Sequence, residues 1–252
     1  MAHSREDLEN TLLAGYPTYN FMALWPHCVP LKDYETCPSL CLYNNNAVLK
    51  INSNIYEINM LHLAGDCAVN VTGIVMHQIL HRNVVFGFLM PRLWELNRQV
   101  IAQRQKRQWA DGMRNVVHRL HGKNIIHGDI KLSNFLYSDR DGTVLLCDFA
   151  GAALRTDPEG PLSYTTGRFS PWRARRGGVT EEYPLTVDDE NYALALALYE
   201  MDTGRVPFDN INGSAIMQHI RDGGTIDVAL IGDAYVKQMV VQLMQPMLSK
   251  TG

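Results

Sequence analysis

Apolar and polar positions change their rhythm near residue 95. Before that point lie short runs rich in β-branched and aromatic residues: Leu40–Tyr43, Ala47–Ile51, Val71–Gln78 and Val84–Met90. Runs of this length and composition predict strands. The first two flank Asn44-Asn45-Asn46, whose tolerance of left-handed backbone suits a hairpin turn. Beyond residue 95 the period lengthens. Trp109, Met113, Val116, Val117 and Leu120 fall on one face of a helix that Gly122 would stop. Phe135–Tyr137 and Thr143–Cys147 flank a turn containing Asp141-Gly142, a second hairpin. Ala193 to Leu198 alternates with period two, yet alanine and leucine are strong helix formers, and Asp188 or Asp189 supplies an N-cap. A helix apolar on nearly every side is a buried one. Tyr235, Val236, Met239, Val240, Leu243, Met244 and Met247 make another helical stripe, limited by Pro246 and read as core. The layout is α+β, a small sheet unit followed by a helical one.

Composition narrows the partners. With 252 residues the chain can bury the core of one large domain or two small lobes. A formal net charge of −3 gives no basic excess for nucleic acid. The five cysteines (Cys28, Cys37, Cys41, Cys67, Cys147) are odd in number and lack a CxxC pair, which argues against a disulfide framework and for a reducing compartment. Cys37 and Cys41 with His77 and His81 have no tetrahedral zinc spacing. The first twenty residues lack a basic start followed by an apolar run, so no secretory signal is expected. The stretch from Tyr192 to Met201 is about half as long as a membrane crossing needs. The expectation is a cytoplasmic or nuclear protein with no membrane and no nucleic-acid partner.

The second hairpin carries the candidate chemistry. Asp129 and Asn134 lie just before its first strand and Asp148 just after its second. Antiparallel strands return the chain to its starting end, so all three converge at one mouth. Oxygen ligands gathered there suit a hard divalent cation such as Mg²⁺. Lys131 adds a positive charge that can face a phosphate. On spacing alone, a solvated polar turn fits equally well.

The run Ile125-Ile126-His127-Gly128-Asp129-Ile130-Lys131-Leu132-Ser133-Asn134-Phe135-Leu136 resembles the catalytic loop of eukaryotic-type protein kinases. Leu145-Leu146-Cys147-Asp148-Phe149-Ala150 resembles the strand and metal motif that follow it. Ser170-Pro171-Trp172 stands where the family closes its activation segment. Tyr199-Glu200-Met201-Asp202-Thr203-Gly204-Arg205-Val206-Pro207-Phe208 resembles the end of the buried helix and its exit turn. Upstream, Ala47-Val48-Leu49-Lys50 resembles the strand with the phosphate-binding lysine, and Phe88-Leu89-Met90-Pro91-Arg92-Leu93 the end of the sheet and the hinge.

The resemblance implies a bilobal kinase-like fold: an antiparallel sheet N-lobe over residues 1–92 and a mostly helical C-lobe over 93–252. It implies ATP and Mg²⁺ as cofactors and a protein substrate with a serine or threonine acceptor. Carried over position by position, Asp129 would accept the proton of the attacking hydroxyl, and Asn134 and Asp148 would hold Mg²⁺. Lys50 would bind the α- and β-phosphates, Glu57 would fix Lys50, and Lys131 would neutralise the transferring group. Adenine would lie at Met90, Pro91 and Leu93, with Pro91 offering only its carbonyl. Lysine at position 131 resembles serine/threonine kinases more than tyrosine kinases.

The chain departs from the family in five places. Glu35–Tyr43, where a phosphate cover should lie, contains no glycine. Ala150 replaces a glycine, and its methyl hinders positive φ. Gly128 replaces an arginine, which leaves Ser163, Tyr164, Thr165 and Thr166 doubtful as phosphorylation switches. Trp172 replaces a glutamate, and Glu190 stands where the buried helix usually begins with aspartate. The missing glycines keep a pseudokinase, a binding or allosteric module, open as an alternative. His127-Gly128-Asp129 also occurs in small-molecule phosphotransferases of the aminoglycoside and choline kinase kind. Arg173, Arg175 and Arg176 read as a solvated basic cluster.

Overall fold

The computed structural model describes residues 11–31, 39–96, 103–156, 169 and 185–248. The chain forms two compact units, residues Met1–Leu93 and Trp94–Gly252. Among the described residues, no helix is long and apolar enough to cross a membrane.

The first unit is built on one six-stranded sheet. Its elements are β1 (Thr18–Asn20), α1 (Phe21–Leu24), β2 (Val29–Pro30), β3 (Leu40–Leu42), β4 (Ala47–Ile51), α2 (Ile55–Ala64), β5 (Gly73–Ile79) and β6 (Arg82–Pro91). The strand order is β1-β5-β6-β4-β3-β2. The sheet is antiparallel except at one edge, where β1 runs parallel to β5, so the expectation of a purely antiparallel sheet is corrected to a mixed one. Three exposed residues without apolar alternation gave no sequence signal for β1. Its place depends on tertiary pairing, including the Ile74 amide donating to the Pro17 carbonyl at 2.9 Å.

Strand alternation sorts the residues of β4. Leu49 and Ile51 join Leu24, Cys41, Val75 and Leu89 in a buried cluster, and Lys50 points to the other face, toward α2. The hairpin between β3 and β4 closes as expected but by a different device. None of Asn44, Asn45 and Asn46 takes positive φ. Instead the Asn46 amide donates to the Asn44 Oδ1 at 2.9 Å, an Asx turn.

The second unit is mainly helical. It contains β7 (Trp94–Glu95), α3 (Gln103–Gly122), β8 (Ile125–Ile126), β9 (Phe135–Tyr137), β10 (Val144–Leu146), β11 (Ala153–Leu154), α4 (Val187–Thr203), α5 (Gly213–Arg221) and α6 (Ala234–Leu248). The stripe on α3 is buried from Ala110 through Met113, Val116 and Val117 to Leu120. Gly122 is its last helical residue, and the left-handed exit falls on Asn124, with φ 59°. α4 is buried along nearly its whole length. Its N-cap is Thr186, not an aspartate: the Thr186 Oγ1 accepts from the Asp189 amide, and the Asp189 carboxylate accepts from the Thr186 amide. The α6 stripe is core at Val236, Met239, Val240 and Met244.

Candidate active site

The lysine expected on β4 finds its partner within the first unit. The Lys50 Nζ donates to the Glu57 Oε1 at 2.6 Å, and the Ser53 hydroxyl donates to the Glu57 Oε2 at 2.7 Å. Seven residues suffice because β4 turns at once into α2. Asn54 caps the helix by accepting from the Glu57 amide at 3.0 Å, which sets Glu57 in the first turn. There the positive end of the helix dipole favours its carboxylate. Glu57 is only 2% exposed, so the pair is held where one member alone would be costly. Gly87 on β6 permits the close approach of β4, since a Cβ there would lie 2.0 Å from the Lys50 carbonyl. Met90 pairs with Val48 and Pro91 with Ala47, which puts the expected adenine residues at the end of β6, with Leu93 two residues on.

In the second unit the residues expected to form the catalytic loop meet just before β9. The Lys131 Nζ donates to the Asp129 Oδ2 at 2.6 Å. The Asn134 Nδ2 donates to the Asp129 carbonyl at 2.8 Å and to its Oδ2 at 3.2 Å. With that nitrogen turned to Asp129, the carboxamide oxygen is the atom Asn134 can offer a cation. The Cys147 amide donates to the Asn134 carbonyl at 3.0 Å, which ties the residue before Asp148 to the loop. An amide oxygen and a carboxylate form a hard donor set that fits Mg²⁺ with water completing its shell.

Backbone geometry accounts for two of the departures from the family pattern. Gly128 has φ +84°, and a Cβ there would lie 2.3 Å from the Gly151 carbonyl oxygen. A side chain of any kind is therefore excluded in this conformation. After β10 the positive φ falls on Asp148 (64°), while Ala150 lies in the short 3₁₀ turn Phe149–Gly151. The alanine methyl, expected to hinder, meets no left-handed backbone here.

Sequence reasoning passed over several supporting residues. His127 is fully buried, and its Nδ1 accepts from the Asp129 amide at 3.2 Å. The ring proton then sits on Nε2, which donates to the Cys147 carbonyl at 2.9 Å. Glu190 on α4 accepts the Gly128 amide at 2.8 Å through Oε1, while its Oε2 lies 2.7 Å from the Nε2 of His121 on α3. Asn54 carried a readable signal, a capping residue three positions before a glutamate. Glu190 was marked only as standing where the buried helix usually begins with aspartate, and His121 carried no signal, because their contact spans 69 residues. Residues 32–38, 163–166, 170–173, 175 and 176 lie outside the described residues, and with them Cys37, most of the glycine-free segment and the serine, threonine and arginine positions near the activation segment.

A sheet unit carrying a lysine–glutamate pair and a helical unit carrying Asp129, Lys131, Asn134 and Asp148 define a kinase-type architecture. The protein kinase domain family matches residues 44–251, and the chain belongs to it. Among curated relatives, the serine/threonine-protein kinase A-Raf of Mus musculus is 35% identical over 107 residues, 42% of this chain and 17% of that protein. The mitogen-activated protein kinase kinase kinase dlk-1 of Caenorhabditis elegans is 27% identical over 121 residues, 48% of this chain and 13% of that protein. A putative serine/threonine-protein kinase of Mycoplasma pneumoniae is 31% identical over 134 residues, 47% of this chain and 34% of that protein. The chain thus spans about a third or less of the length of these relatives.

Proposed function

We propose that the chain is an ATP- and Mg²⁺-dependent protein kinase that transfers the γ-phosphoryl group to serine or threonine hydroxyls of a protein substrate. The observation that carries this reading is the Asp129–Lys131–Asn134 cluster. One carboxylate oxygen receives both the lysine and the amide, which holds the carboxylate in one orientation. In this reading Asp129 orients the acceptor hydroxyl and takes its proton. Lys131, now beside Asp129, shifts toward charge developing on the transferred group. Asn134 and Asp148 hold Mg²⁺, which supplies charge neutralisation when bound. Lys50, fixed by Glu57, binds the α- and β-phosphates, and Met90, Pro91 and Leu93 receive adenine. Serine/threonine preference rests on Lys131 and on the names of distant relatives.

Incubation with Mg²⁺-ATP and a degenerate peptide library is expected to phosphorylate serine and threonine peptides. Asp129→Asn is expected to lower kcat by about 10²–10⁴-fold, the usual weight of a positioned general base. An Asp129→Asn variant as fast as the parent would refute the mechanism. The absence of glycine from residues 35–43 favours a second reading, a nucleotide-free binding module. Calorimetry separates the two: that reading requires no Mg²⁺-dependent ATP binding by folded protein.

A further inference from the structure

Among the described residues, the sheet unit presents an apolar face that stands open. The chain from Thr18 to Pro30 straps the six-stranded sheet from one edge, where β1 pairs with β5, to the other, where β2 pairs with β3. Between the edges, Phe21, Leu24 and Cys28 pack on the cluster of Leu49, Ile51, Val75 and Leu89. Met22, Trp25 and Val29, each one residue later, are 62%, 42% and 59% exposed. A segment apolar on both sides is one that a protein interior encloses, and here only the inner side is enclosed. From Thr11 to Leu31 the sequence contains no aspartate, glutamate, lysine or arginine.

The tip of the hairpin between β5 and β6 extends this face. The His77 ring lies 5.4 Å from that of Phe21, and Ile79, two residues on and on the same side of β5, is 46% exposed. Ile79 pairs with Arg82, so Leu80 and His81 form a two-residue turn, with φ 48° and 64°. Such turns favour asparagine and glycine, because other residues are strained at positive φ. Leu80 nevertheless stands there, 90% exposed. It costs backbone strain and leaves hydrocarbon in water, and closing the hairpin requires neither.

We propose that two copies of the chain associate through this face, strap against strap about a two-fold axis. A two-fold contact sets a patch against its own duplicate, so any charge in it meets a like charge near the axis. The uncharged strap avoids that cost. Methionine and tryptophan are favoured at interface centres, and exposed Arg82 behind the tip belongs to the polar rim. An added peptide strand fits this edge poorly, because β2 has two residues and Pro30 offers no N–H. A lipid surface also fits poorly, because the strap has no lysine or arginine for anionic headgroups. The patch centres on five large side chains and is small beside a standard interface, so the dimer is weak, with a Kd of about 10–100 μM. This association is independent of phosphotransfer.

The test is analytical ultracentrifugation of the full chain from about 1 to about 300 μM, a range that brackets a weak dimer. The parent is expected to pass from monomer to dimer. Met22→Glu combined with Val29→Glu changes two exposed side chains, so it is expected to weaken the dimer about tenfold or more, with Tm unchanged where the parent is monomeric. Val241→Glu, an exposed position on α6, is expected to leave association as it was. Leu80→Asn separates contact from folding: it is expected to raise Tm by relieving the turn and to weaken the dimer severalfold. A parent that stays monomeric throughout, or a dimer that the double substitution leaves intact, would overturn the proposal. So would a dimer lost equally in Val241→Glu. Cosedimentation with phosphatidylcholine vesicles, lost in the double variant, would assign the face to lipid instead. A Leu80→Asn protein that loses Tm would remove the tip from the interface.

Discussion

Asp129 is held by groups that arrive from two directions, Lys131 two residues on and Asn134 five residues on, both reaching Oδ2. Its neighbour Gly128 must remain a glycine for a reason that charge pairing does not supply. Gly128→Ala is expected to lower stability by about 2 kcal/mol or more, because an L residue is strained at this φ and the methyl meets the Gly151 carbonyl. Urea denaturation reads this directly, and an unchanged midpoint would contradict the geometry. A second residue-scale prediction concerns Cys28 and Cys41. Burial pushes both thiols up, and for Cys28 the neighbouring Cys41 adds to the effect. A raised thiol binds its proton more tightly in the folded state. Its contribution to stability is therefore whole below the unfolded value of about 8.5 and is lost as pH climbs through the folded value. Tm is expected to fall from about pH 8 to about pH 9.5, and less steeply in a Cys28→Ala/Cys41→Ala variant.

At the scale of elements, two helix starts do much of the positioning. α2 begins immediately after β4, and its cap, Asn54, sets the turn in which Glu57 meets Lys50. Asn54→Ala is expected to cost about 1 kcal/mol and to raise the KM for ATP more than it lowers kcat, since it loosens the partner of Lys50 and not Asp129. Steady-state kinetics beside thermal melting would check both parts. α4 acts from its own first turn, where Glu190 carries the Gly128 amide. Its capping box uses Thr186 and Asp189, so Asp189, one of the two aspartates read as caps from sequence, serves instead as the reciprocal half of the box, and Glu190 beside it anchors the loop. The helix itself was legible from alanine and leucine content. Its start was not, because threonine and aspartate both cap and only the backbone geometry says which one stands outside the helix.

For the whole molecule, the expected consequence is linkage between ligand and stability. Mg²⁺-ATP at about a hundredfold its Kd is expected to stabilise the chain by about 2.7 kcal/mol, and Asp148→Asn is expected to remove most of that gain. Scanning fluorimetry with and without Mg²⁺ would measure it, and equal shifts in the two proteins would remove Asp148 from the metal site. The sequence by itself determined the α+β class, the main strands and helices, the kinase family, and the candidacy of Asp129, Asn134, Asp148, Lys131, Lys50 and Glu57. Those signals are local, carried by periodicity, turn residues and contiguous motifs. Tertiary structure alone decided the parallel edge strand β1, the hold of Glu190 and His121 on the loop, and the exclusion of a side chain at Gly128. Each of these joins residues far apart in the chain, or depends on one backbone approaching another, and neither leaves a periodic trace in the order of amino acids.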